Sequence, residues 1–381
     1  MGETLLSKNL TGDGIPVFSA NTDEGPWGYT SNNRRRLHRG DIVIGARGSV
    51  GYPRRPNFDA FTCTQTTIAV EPDHAVVDSE YLHHALCAAD ILGIASQQAV
   101  PMLTIGALSP LEITLPPLDE QRRIAEVLRS VDEAIAVTQA TYDGIVTTQA
   151  AVFETFLQSG NLISDGQLIA GWTTGKIDCV RHLPVGWRVV KLVDVARLES
   201  GHTPDRKKPE YWDGGDVEWI SLHDTQNLGR CEISKTEMRI TQAGLANSSA
   251  RLLPAGTVCF SRTATVGKCV IMPKSMATSQ DFANFICSPA LNNRYLLHLM
   301  RWMQPVWKAL ASGSTHKTIY MPTFKALQII LPPRVEQDQI AATMDSFVNM
   351  AESHAASLTH LRSLKANLMS DLLSGRVRVP A

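Results

Sequence analysis

The sequence predicts a duplicated, mixed α/β protein. Two tandem α+β domains are joined by two long α-helices that pair as an antiparallel coiled coil with approximate two-fold symmetry. One junction, LPPLDEQRRIAEVL at 115–128, returns as LPPRVEQDQIAATM at 331–344, an offset of 216 positions. After each junction an apolar stripe continues through five heptads, the mark of a coiled-coil seam. Between the copies, Gly160, Gly166, Gly171, Gly175 and Gly186 give 160–186 the composition of a linker.

The elements follow in chain order. Residues 1–115 form the first domain, 116–159 the first long helix, 160–186 the linker, 187–331 the second domain, 332–375 the second long helix and 376–381 a tail. The repeat extends beyond the junction: LHRGDIVI (37–44) matches LPAGTVCF (253–260), Val50-Gly51 matches Val266-Gly267, and EYLHHAL (80–86) matches RYLLHLM (294–300). Strands are expected at 41–46, 66–71, 257–262 and 282–287. Helices are expected at 79–95, capped by Asp78 or Ser79, and at 293–311, capped by Asn292.

The first stripe is Ile124, Leu128, Val131, Ile135, Tyr142, Ile145, Val152 and Phe156, with Thr138 and Gln149 filling two gaps. The second is Ile340, Met344, Phe347, Ala351, Leu358, Leu361, Leu368 and Leu372, with His354 and Lys365 in the gaps, 216 residues after Thr138 and Gln149. A helix of about 38 residues spans roughly 57 Å and outruns a domain of this size. Two equal stripes can bury one another; packing of each helix on its own domain is the alternative. Gly144 inside the first helix should cost about 1 kcal/mol relative to Ala.

Composition narrows the function. With 44% hydrophobic and 19% charged residues and a net charge of −1, the chain is ordinary for a globular protein. No apolar run approaches the roughly 18 residues that cross a bilayer, and the N-terminus lacks the plan of a signal peptide. Seven cysteines, at 63, 87, 179, 231, 259, 269 and 287, include no CxxC pair, so neither a zinc site nor a disulfide framework is expected. VGKC (266–269) has Arg262 where a phosphate-binding loop needs its first glycine. LPPL and LPPR are not the Asp/Asn-Pro-Pro-aromatic signature of amino-methyltransferases. Adjacent His83 and His84 would point about 100° apart on a helix, and His223-Asp224 has no nucleophile elbow. No catalytic residues are assigned.

The charge is unevenly spread. NNRRRLHRGDIVIGARGSVGYPRRP (32–56) holds Arg34, Arg35, Arg36, Arg39, Arg47, Arg54 and Arg55 against one acid, Asp41. Arginine makes bidentate contacts to phosphate and to guanine. Glycines 45, 48 and 51 around Arg47 and Ser49 would let the backbone approach a ligand. The matching hairpin SRTATVGK (261–268) carries Arg262, Thr263 and Lys268. Arg206, Lys207 and Lys208, then His316 and Lys317, add charge to the second domain. Gln65 and Gln280 follow the two hairpins, and glutamine can read adenine through N6 and N7. These residues are the candidate DNA contacts.

LPPLDEQRRIAEVL, the domain opening GWRVVKLVDVARLESGHTP (186–204), GSTHKTI (313–319) and the ending LLSGRVRV (372–379) together resemble the specificity subunits of type I restriction–modification enzymes. The resemblance covers essentially the whole chain. It implies that each domain is a target-recognition domain for one half of a split double-stranded DNA site. The paired helices would set the unread gap and dock methyltransferase subunits, with motor-nuclease subunits completing a cytoplasmic complex. The resemblance also implies that this chain is not the catalyst: S-adenosylmethionine would belong to the methyltransferase subunits, and ATP and magnesium to the motor. A coiled-coil scaffold that binds proteins, or an enzyme acting alone on nucleic acid, are the alternatives.

Two departures matter. The first domain has no counterpart of GWRVVKLVDVARLES before Gly2-Glu3-Thr4, and the C-terminal RVRV (376–379) is expected to supply the missing strand. SQQAVPML (96–103) stands where the second copy has SGSTHKTI and carries no lysine.

Overall fold

A computed structural model describes residues 2, 4–21, 25–31, 35–96, 101–158, 185–311 and 318–379. The chain divides into two compact units, one of Met1–Ala140 with Ala356–Ala381, the other Thr141–Ala355. The division falls within the two long helices, Leu118–Gln158 and Arg334–Leu373. Each unit therefore owns one α/β domain and half of each helix.

In the first unit, strands Gly28–Thr30, Ile15–Phe18, Ala60–Cys63 and Leu37–His38 lie side by side in that order, with Ile15–Phe18 parallel to Ala60–Cys63. A second sheet sets Ile42–Gly45 between Pro53–Arg54 and Thr67–Val70, both antiparallel to it. The second unit repeats the plan. Val217–Ile220 runs parallel to Ala277–Thr278, and Val258–Ser261 lies between Cys269–Ile271 and Phe282–Cys287. It adds two things: Ala196–Ser200 extends the latter sheet, and Arg188–Lys191 pairs with Gln328–Leu331.

The helix expected over 79–95 stops at Ala88, and a short turn Ile91–Ile94 begins anew under its own cap, the Asp90 carboxylate accepting from Gly93 N–H at 2.9 Å. The helix expected over 293–311 likewise breaks, into Asn293–Trp302 and Gln304–Ala311. Pro305 has no N–H to continue the first segment's ladder and is tolerated in the first turn of the second. The caps fall at Asp78 and Asn292. Each side chain accepts from the backbone N–H groups two and three residues on, which a helix start otherwise leaves unbonded.

The repeated Glu-Gln of the junction has a mechanical reason. Gln121 is fully buried; its amide NH2 donates to Val76 O and Pro116 O, and its oxygen accepts from Asp78 N–H at 2.8 Å. Gln337 does the same to Ala290 O, Pro332 O and Asn292 N–H. One carboxamide thus fastens the long helix, the Pro-Pro turn and the cap of the domain helix. Beside it Tyr81 donates to Thr114 O, and Tyr295 donates to Ile330 O.

Every stripe residue, gap positions included, is buried or half-buried. In the first unit the helices run antiparallel: Asp132 meets Lys365 at 2.6 Å, Gln139 accepts from Arg362 at 3.1 Å, and Ile124 and Leu128 share a core with Leu372, Leu373 and Tyr81. In the second unit the other two halves pack together, with Phe153, Leu157, Ile340 and Met344 in the domain core. One detail departs from the heptad reading. Phe153 and Leu157, outside the stripe, are buried more deeply than Val152 and Phe156 within it. A 3.6-residue turn drifts against a 3.5-residue repeat, and here the helix faces a domain as well, with Phe153 against Trp302.

The tail also departs from expectation. Residues 376–379 form no strand. They are fastened by side chains instead: Arg378 forks onto Glu120, whose carboxylate also accepts from Val379 N–H at 3.3 Å, and Arg123 donates to Val379 O. Glu336, 216 residues on, accepts from the Trp187 indole N–H at 2.8 Å, immediately before strand Arg188–Lys191. The same carboxylate position holds the opening of one domain and the tail in the other.

Candidate nucleic-acid interface

Each domain presents a hairpin followed by an exposed glutamine, and the backbone fixes how the two sites correspond. Gly51 N–H donates to Gly45 O, as Gly267 N–H does to Ser261 O. Leu103 N–H donates to Ala46 O, as Ile319 N–H does to Arg262 O. Gly48 takes φ 90° at the tip, and Ala264 takes φ 52°. The register is therefore an offset of 216. Arg262 stands where the first domain has Ala46, and Arg47 stands where the second has Thr263.

That one-position shift changes what each arginine does. Arg47 is exposed at the tip, its Nε 3.1 Å from Met102 Sδ. Arg262 is half-buried, its Nε donating to Gln280 O at 2.9 Å and its Nη1 to Ile319 O at 3.4 Å. It braces the hairpin against its neighbours. Thr263 donates to Asp281 at 2.7 Å and Lys268 to Thr225 O at 3.1 Å. Ser49 is half-buried, its N–H on Ala20 O.

The glutamines are held alike. Thr4 donates to Gln65 Oε1 at 2.8 Å, and Thr203 donates to Gln280 Oε1. Ahead of each threonine a glycine lies flat on the glutamine loop. A Cβ on Gly2 would sit 2.2 Å from Cys63 O, and one on Gly201 would sit 2.0 Å from Ser279 O. Both glutamines are exposed. The Gly-x-Thr pairs were missed as site residues in the sequence. Their offset is 199 rather than 216, because the second domain carries more residues than the first between this threonine and its glutamine. The repeated GET and GHT are the signal that could have found them.

The arginine run at 32–56 is less free than its composition suggested. Arg35 pairs with Glu71, Arg39 forks onto Asp59, and Arg55 meets Glu80 at 3.5 Å. Arg54 is tied to Ser19 O and Asn21 and lies 5.4 Å over the Phe18 ring. Folding thus brings acids from outside the segment onto it. Arg36 is exposed, with no acidic partner among the described residues. Arg34, His316 and Lys317 lie outside the described residues. In the second domain Arg206 is over Trp212 at 5.9 Å, Lys208 is over Tyr211 at 5.0 Å with its Nζ 3.1 Å from the phenol oxygen, and Lys207 is exposed.

Cys87, Cys231, Cys259, Cys269 and Cys287 form no disulfide. No described helix is long and apolar enough to cross a membrane.

Residues 1–146 and 184–362 match the family model of the type I restriction modification DNA specificity domain. A relative in Methanocaldococcus jannaschii, the type I restriction enzyme MjaIX specificity subunit, is 32% identical over 173 residues, 45% of this chain and 40% of that protein. The HindI specificity subunit of Haemophilus influenzae is 20% identical over 410 aligned residues, covering 90% of this chain and 88% of that one. Among solved structures, the type I restriction-modification S subunit from M. genitalium superposes with a TM-score of 0.66 at 14% identity, over 98% of this chain and 92% of that one, a likeness of fold.

Proposed function

The chain belongs to the type I restriction–modification DNA specificity family, and from that membership we propose that it reads a bipartite DNA target. Each domain contacts one half-site, and the two long helices set the gap. The observation that carries this is the twice-built site: a hairpin held by the same backbone contacts and an exposed glutamine held by a threonine, dressed with different side chains around them. Identical scaffolds with divergent surfaces suit two unlike half-sites.

Phosphate contacts supply affinity and its salt dependence, and base contacts supply choice. The exposed pairs Arg35–Glu71 and Arg39–Asp59 are consistent with this role. Surface ion pairs contribute little, so a DNA phosphate can take the carboxylate's place at small cost. Gln65 and Gln280 are the candidate base readers. Methyltransferase subunits dock on the helices and bring S-adenosylmethionine. Motor-nuclease subunits bring ATP and magnesium, and the complex works in the cytoplasm. This chain selects the site and leaves the chemistry to those partners.

The test is co-expression with the cognate methyltransferase subunits and mapping of methylated adenines. The expected result is one split motif whose gap lengthens when a whole heptad is added to both helices. A continuous motif, or a gap indifferent to the insertion, overturns the reading. Salt-insensitive assembly without DNA would favour the protein scaffold, and DNA modification by the purified chain alone would favour an enzyme.

A further inference from the structure

Three side chains from distant parts of the second unit converge where no sequence spacing would suggest it. Cys231 Sγ, His298 Nε2 and Asp345 Oδ1 all lie within 4.8 Å of one another. Cys231 follows the turn Asn227–Gly229, His298 lies on the domain helix Asn293–Trp302, and Asp345 lies on the second long helix. His298 is almost wholly buried, and the other two are half-buried.

The spacing suits a tetrahedral ion. Zinc bonds of about 2.0–2.3 Å set neighbouring donors roughly 3.5 Å apart. Cys231 Sγ is already 3.7 Å from Asp345 Oδ1. His298 Nε2 is 2.8 Å from the same oxygen, so less than an ångström of opening separates the hydrogen-bonded pair from two ligands of one ion. Asp345 is oriented from behind, its Oδ2 lying 3.1 Å from Arg294 Nη1, and Arg294 is itself neutralised by Glu232. Outer partners of this kind aim a ligand at its metal. Arg301 Nη2 donates to Arg230 O at 2.6 Å and to Cys269 O at 3.0 Å. Of the three, His298 also lines a cavity of about 460 Å³, with Met344, Glu352 and Phe153.

We propose that Cys231, His298 and Asp345 bind a thiophilic divalent cation, Zn²⁺, with water as the fourth ligand. A thiolate beside an imidazole and one carboxylate selects zinc over magnesium or calcium. The bound ion ties a loop and the helix of the second recognition domain to the second long helix, stiffening that domain on its support. The first unit supplies an internal control. Glu80 and Arg129 stand where Arg294 and Asp345 do and form the ion pair with the charges exchanged, 3.4 Å apart. His84 holds the place of His298, its Nε2 without a hydrogen-bond partner. With an arginine in the carboxylate's position, that site repels a cation.

Cobalt titration of the whole chain, freed of metal beforehand, tests this. One equivalent of Co²⁺ should give a thiolate-to-cobalt charge-transfer band, displaced by Zn²⁺, and zinc should raise the melting temperature. Cys231→Ser should abolish the band, Asp345→Asn and His298→Gln should weaken binding roughly 10-fold or more, and Cys287→Ser should change nothing. Far-ultraviolet dichroism checks that each variant is folded. If Cys231→Ser does not fold, Asp345→Asn, which keeps the side chain's shape, decides by the same titration. No band at one equivalent, a band that survives Cys231→Ser, or unchanged affinity in Asp345→Asn would overturn the proposal.

Discussion

Two pairs of positions, each 216 residues apart, fared differently after duplication. Gln121 and Gln337 keep the same three hydrogen bonds to the same three kinds of partner. Ala46 and Arg262 keep the same backbone contacts, but one has a methyl group and the other a guanidinium bonded to Gln280 O and Ile319 O beside the hairpin. A buried carboxamide that satisfies two carbonyls and a helix cap has no substitute of equal shape and valence. A hairpin surface has no such internal obligation and is free to follow whatever it touches.

The largest effects are expected at the shared fasteners. Gln337→Ala removes the partner of the Ala290 and Pro332 carbonyls and of the Asn292 N–H, and should destabilise the second unit by about 3 kcal/mol. Gln121→Ala should do the same to the first. Urea unfolding measures both, and a loss under about 1 kcal/mol at either would break the equivalence.

Next come the two arginines. Arg262→Ala should lower stability by about 1–2 kcal/mol, since it removes two bonds to main-chain carbonyls. Arg47→Ala should leave the unfolding midpoint in place while weakening DNA binding by the complex and reducing its salt slope by about 1. Both are expected to show in methylation of their own half-site, Arg47 through contact and Arg262 through the hairpin. The opposite assignment, a stability loss at Arg47 and none at Arg262, would reverse this reading of the hairpins.

Ala264 sharpens the same contrast. Its φ of 52° is positive, as is the 90° of Gly48 at the matching tip, and a side chain in the left-handed region costs roughly 1–2 kcal/mol. Ala264→Gly should therefore be neutral or stabilising by up to about 1 kcal/mol, where Gly48→Ala should destabilise. The greater freedom of glycine in the unfolded chain offsets part of the gain.

The smallest effect concerns Glu120, the junction carboxylate of the first unit. The hydrogen bonds from Arg378 are the largest influence on Glu120 and hold its carboxyl below the usual value of 4.5. A depressed carboxyl stabilises above its unfolded pKa, and that contribution is lost as pH falls through the folded value. Detachment of the tail on acidification below about pH 4.5, followed by limited proteolysis at 374–379, should thus accompany a mild loss of first-unit stability. Removing 376–381 should reproduce it at neutral pH. Unchanged unfolding on truncation would show that the tail is only resting there.

Much of this was legible in the residues. The Pro-Pro junction, the apolar period and the caps at Asp78 and Asn292 are local statements, because a few neighbouring side chains decide whether a helix starts and which face it buries. The strands Ile42–Gly45 and Val258–Ser261 announce themselves by unbroken apolar runs for the same reason. The candidate interface was half legible. Gln65 and Gln280 showed through repetition, but Gly2-Glu3-Thr4 and Gly201-His202-Thr203 sit at a different offset.

What the sequence determined alone is the duplication, the two long helices and the placement of charge along the chain, since periodicity and composition are properties of neighbours. What only the tertiary structure decided is which charges are spent internally: Arg35, Arg39 and Arg55 on acids remote in sequence, Arg262 on main-chain carbonyls, Arg378 on Glu120. It also decided that Cys231, His298 and Asp345 meet. Electrostatic and ligand contacts act through space over a few ångströms, and separation along the chain carries no record of that distance until the domains have packed.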